Sequence, residues 1–104
     1  MGDNYDIAND VSEYFKSYLD LYETRDLWID ESVKDPDALV CVIAVNNKEA
    51  ETGLTVIGVS DNLDKAKKES LDLWKSLFPK LEEYEVADFS QIPLAKVVEI
   101  LGAR

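Results

Sequence analysis

The sequence predicts an α+β domain: a mainly antiparallel sheet of three to four strands with helices packed on it, in the order α-β-β-β-α-β-α. Three observations carry this prediction. Two stretches, from about Ile7 to Tyr22 and from Leu63 to Phe78, space their apolar residues three and four apart, as one face of a helix does. The run Leu39–Asn46 (LVCVIAVN) is apolar at both alternating positions, which suits a central strand covered on both sides. A polar loop ending at Gly53 then leads to a second apolar run, Leu54–Ser60, and a connection of this length suits an antiparallel hairpin.

The first helix places Ile7, Val11, Tyr14, Phe15, Tyr18, Leu19 and Tyr22 on one side, with Asp6 or Asn4 available to cap its first amides. Its other side carries Asp6, Asp10, Glu13, Ser17 and Asp20 in one stripe. The segment RDLWID that follows has the bulky Leu27, Trp28 and Ile29 of a short strand. KDPDA then reads as a turn, since Pro36 presets φ and the Asp35 carboxylate can bond the backbone two residues on.

In the strand Leu54–Ser60, Gly58 marks a bulge or the close approach of another backbone. The next helix is capped by Ser60, Asp61 or Asn62 and ends before Pro79. Its buried face is Leu63, Ala66, Ser70, Leu73, Trp74 and Leu77, and its exposed side collects Lys65, Lys67, Lys68 and Lys75. Glu82–Phe89 alternates like a short strand near a sheet edge. A last helix begins around Pro93, buries Leu94, Val97, Val98 and Leu101, and stops at Gly102. If the last strand lies beside Leu54–Ser60, the long helix is a crossover and those strands run parallel. No repeat or linker interrupts the chain, so residues 1–104 read as one compact domain.

Charge bounds the function. The net charge is −11, and it is unevenly placed: residues 1–38 hold 11 acids and 3 bases, whereas residues 39–104 hold 11 and 8. Nucleic acids and anionic lipids reward Lys and Arg, so neither is an expected partner. The start of the chain has no secretory signal, and Asp6 stands where a myristoylation motif wants Ser or Thr. The longest apolar run, ALVCVIAV, is too short to span a bilayer as a helix. A cytoplasmic protein is the expectation.

Catalytic signals are sparse. The chain has no His and one Cys, Cys41, set in an apolar strand where burial makes a thiol unreactive. Four glycines form no phosphate-binding pattern. Asp30, Glu31, Asp35 and Asp37 are hard oxygen donors, but their spacing is not that of a calcium loop, and Lys34 sits among them. The expectation is therefore no metal, no cofactor and no catalytic group.

What remains is an acidic N-terminal face. Asp6, Asp10, Glu13 and Asp20 on the helix, with Asp26, Asp30, Glu31, Asp35 and Asp37 after it, would attract a basic protein, and Trp28 would anchor the contact. The helical stripe alone spaces its charges about 7 Å apart. That is roughly half the density of a DNA strand, so imitation of a phosphate track needs the later acids beside it. The reading is an interaction protein that binds, and by blocking inhibits, a nucleic-acid-binding or nuclease protein, as an immunity protein or anti-defence factor would. The alternative is a small-ligand or catalytic domain with carboxylates in a pocket between sheet and helices. A homodimer through the Glu82–Phe89 edge or the last helix is a third arrangement.

Overall fold

The computed structural model describes residues 3–21, 24–47 and 54–102, with side chains from 10, 26 and 54 onward in these segments. The elements follow in the expected order: α1 (Asp3–Leu19), β1 (Thr24–Ile29), β2 (Leu39–Asn47), β3 (Leu54–Ser60), α2 (Leu63–Leu77), β4 (Tyr84–Pro93) and α3 (Leu94–Gly102). The side chains of Asp6 and Ile7, Tyr22, and the polar loop after Asn47 lie outside the described residues. Because α1 already begins at Asp3, Asn4 and Asp6 are helical rather than capping residues.

The sheet is mixed, with strand order β1-β3-β2-β4. β2 pairs antiparallel with β3 and with β4, while β1 lies parallel to β3 at the other edge. β4 therefore sits beside β2, not β3. It runs in the same direction as β3 with β2 between them, so α2 carries the chain across one strand. The most apolar run, β2, takes a central position because only there are both of its faces covered.

Alternation along the strands sends side chains to two separate cores. Val40, Val42, Ala44, Ile57 and Val59 join Phe15 and Leu19 of α1 and Leu94, Val97 and Ile100 of α3. Ile43, Val45 and Val56 join Ala66 and Trp74 of α2. Helices thus cover both faces of the sheet, two on one side and one on the other.

Gly58 explains how α2 comes so close. A Cβ placed there would lie 2.9 Å from the Ala66 carbonyl oxygen and 2.8 Å from Ser70 Cβ. The glycine serves close approach, and the irregularity of the sheet lies elsewhere, between β2 and β4. There Val42 pairs with Phe89 and Val40 with Ile92, so Cys41 faces both Ser90 and Gln91. Gln91 takes the left-handed backbone (φ 61°). This bulge breaks the two-residue alternation: Phe89 and Ile92 are both buried in the same core. A strand read by alternation alone ends at Phe89; the real one continues to Pro93.

Three side-chain assignments also shift, at Tyr14, Val98 and Leu77, the last being 42% exposed at the end of α2. Tyr14 is 65% exposed rather than buried, while Ser12 is buried. The reason is the seat of α1 over the edge strand β4. Phe15, Tyr18 and Tyr14 surround Phe89 at ring distances of 5.0, 5.3 and 5.6 Å, and Tyr14 is the one left on the open flank. In α3, Ile100 is buried and Val98 is exposed.

Candidate functional site

The acidic segment after β1 spans the end of the sheet. Because β3 lies between β1 and β2, the loop from Asp30 to Ala38 must pass the end of β3 to reach β2. Its two ends are held in different ways.

At the first end, Asp30 extends the β1 pairing, its N–H donating to the Val59 carbonyl at 2.9 Å. Its side chain points to the α2 side and is only 4% exposed. Oδ1 accepts from the Ser32 N–H (3.0 Å) and the Ser32 hydroxyl (2.7 Å). Oδ2 accepts from the Ser60 hydroxyl at 2.9 Å and pairs with Lys65 Nζ at 3.1 Å. The Ser32 donors, hydroxyl first, hold the carboxyl well below the usual carboxylate range; Lys65 and Ser60 add to this, and burial opposes it. Ser60 in turn accepts from the Asn62 N–H (3.0 Å), and the Asn62 side chain caps α2 through the Lys65 N–H (3.2 Å). Lys65 Nζ also lies 6.0 Å from the centre of the Trp28 ring. β1, β3 and α2 are thereby tied at one point.

At the second end, the loop seats α3. The first amides of a helix lack partners within it. Here Leu94 N–H donates to the Ala38 carbonyl and Ala95 N–H to the Pro36 carbonyl, each at 2.9 Å. The Asp35 carboxylate accepts from the Asp37 N–H (2.9 Å), the turn its sequence suggests. Val33 tucks against the core shared by α1 and α3. Glu31, Asp35 and Asp37 remain exposed on this fixed backbone.

The acids expected to form one face are thus distributed over three places. Asp10, Glu13 and Asp20 are exposed on the outer side of α1, opposite Phe15 and Leu19. Asp6 belongs to the same helix. Glu31, Asp35 and Asp37 stand on the loop. Asp26 and Trp28 are half-buried on β1, on the opposite side of the sheet from α1, and Asp30 is withdrawn into the interior. Neighbours in sequence part because α1 covers β4 while β1 forms the far edge. Lys65, grouped by sequence with the exposed lysines of α2, is instead committed to Asp30. The short Asp-x-Ser spacing of Asp30 and Ser32 was the local signal that this carboxylate turns inward onto its own loop.

Ligands of α/β sheets gather beyond the carboxyl ends of the strands, which is where Asp30 lies. Both of its oxygens, however, already accept from the chain itself. Cys41, paired with Ser60 across the strands, is half-buried, and burial together with Asp88 and Asp61 pushes its thiol up. Among the described residues no cluster of carboxylate or thiol groups has the geometry to hold a metal ion, and no helix is long and apolar enough to cross a membrane.

The fold and this surface define an α+β domain with helices on both faces of a mixed sheet and acidic groups on its outer helix and end loop. Compared with protein-family models, curated proteins and solved structures, the chain matches none.

Proposed function

We propose that this protein binds a basic protein partner through its outward acids, Asp10, Glu13 and Asp20 on α1 and Glu31, Asp35 and Asp37 on the loop, and that it acts by covering a surface the partner uses for nucleic acid. Asp6 extends the helical stripe by sequence. The observation that carries this reading is the fixing of the loop acids: α3 amides grip the backbone beneath Asp35 and Asp37, so the charges stand out from a preorganised support. Preorganised charge steers association and loses less ordering entropy on binding. Asp30 supports that scaffold from inside and is not a contact residue. Asp26 and Trp28, half-buried across the sheet, stand outside the main contact.

The test is capture of source-cell proteins on the immobilised chain at low salt, with elution by a salt gradient. A single basic protein is expected to elute sharply and to lose nucleic-acid binding when the acidic protein is returned. Replacing Glu31, Asp35 and Asp37 together by Gln, Asn and Asn should move its elution to clearly lower salt without altering the fold. Unchanged elution by that variant overturns the assignment of the loop.

A further inference from the structure

We infer that the open edge of β4 is a docking strand for an extended, lysine- or arginine-bearing segment of a protein partner; the inference rests on the basic-partner reading and specifies its mode of contact. β4 is the last strand of the sheet, and among the described residues it is paired on one side only. Natural edges are blunted by charged side chains, lysine above all, by prolines or by bulges. Here the bulge at Gln91 and Pro93 protect the far end, but residues 84–89 hold regular register with β2 and contain no lysine and no proline.

This straight stretch is about 20 Å long at 3.4 Å per residue. Val86 is 44% exposed on the side that faces α2, and Tyr14 of α1, 65% exposed, stands over Phe89 on the other. α2 packs mainly against β1, β2 and β3 and meets the outer strand at Tyr84, whose ring lies 6.1 Å from that of Trp74, so that Val86 beyond it stays exposed. A strand laid along β4 would therefore gain backbone hydrogen bonds and apolar contacts on both faces.

Charge selects the occupant. From Leu81 to Ala95 the chain has four carboxylates, Glu82, Glu83, Glu85 and Asp88, and no base. Antiparallel pairing of two β4 edges would bring these acids together in a dimer of chains that each carry −11, and like charges facing across strands are destabilising. A second copy is thus disfavoured, and a segment alternating cationic and β-branched residues fits.

The experiment uses the isotope-labelled full chain and a decapeptide of alternating Lys and Val at low salt, followed by amide shifts and hydrogen exchange. The expected result is shift changes centred on residues 84–89, with slowed exchange of their outward amides. The same peptide N-methylated at alternate residues keeps its charge but cannot pair, and it should bind about tenfold more weakly or worse. The double substitution Glu85→Lys and Asp88→Lys should weaken the unmodified peptide comparably. Equal binding of the two peptides, or no binding of either, overturns the docking strand. Shifts confined to 10–20 and 31–37 overturn it as well, yet leave the acidic-face reading standing.

Discussion

Asp30 and Asp35 lie five residues apart in one loop and are the same amino acid, yet they do opposite work. Asp30 accepts from Ser32, Ser60 and Lys65, groups drawn from the loop, β3 and α2, and is buried. Asp35 accepts one bond from the next turn of its own loop and stays in water. A carboxylate becomes structural when distant elements supply its donors, because its charge then has to be removed from solvent and repaid by several bonds at once. With one local donor it shapes a turn and remains available to a partner.

The largest effect is expected at Asp30. Asp30→Ala leaves Lys65 without its partner and the hydroxyl of Ser60 without its acceptor, and it should produce the largest fall in urea midpoint of any loop substitution. The pH dependence identifies the cause. Asp30 titrates lower in the folded chain than its unfolded value of about 3.9. Its contribution is therefore complete above that pH and is lost progressively as pH falls from there toward the lower folded value. The gap between wild type and Asp30→Asn should narrow on acidification from pH 6 toward about pH 3; a gap that stays constant would show that the charge plays no part.

Next in size is Gly58→Ala, which tests the close seat of α2 that brings Lys65 to Asp30. The added methyl meets the Ala66 carbonyl and Ser70, so a loss of about 1–3 kcal/mol is expected in chemical denaturation. A variant of wild-type stability would mean that α2 can shift freely on the sheet.

The smallest effect belongs to Asp35→Ala. One exposed turn bond is at stake, and stability should change by about 0.5 kcal/mol or less. Its effect should appear instead in the salt at which a captured partner elutes. A loss comparable to that of Asp30→Ala would erase the distinction between the two ends of the loop.

Much of this architecture is legible in the chain. The three-and-four spacing of α2, its cap at Asn62 and its end before Pro79 are local signals, as are the two-sided apolar run of β2 and the turn at Asp35. The outward stripe on α1 follows from helical period alone: Asp10, Glu13 and Asp20 are exposed where the wheel puts them. Tyr14 departs from its expected burial because α1 lies over an edge strand, and Ile92 escapes the strand reading because the bulge at Gln91 changes the side to which later residues point. Neither departure has a marker within its own few residues.

The element types, the acidic excess of residues 1–38 and the hairpin of β2 and β3 follow from the chain alone, since each depends on neighbours within a few residues or on composition. That β1 runs parallel beside β3, that β4 flanks β2, and that Asp30 leaves the surface while Asp35 stays on it are outcomes of the folded arrangement. Those outcomes depend on partners such as Ser60, thirty residues away, and Lys65 beyond it. Whether a carboxylate meets such donors is set by which strands pair, and strand pairing satisfies the backbone and covers apolar faces over the whole sheet at once.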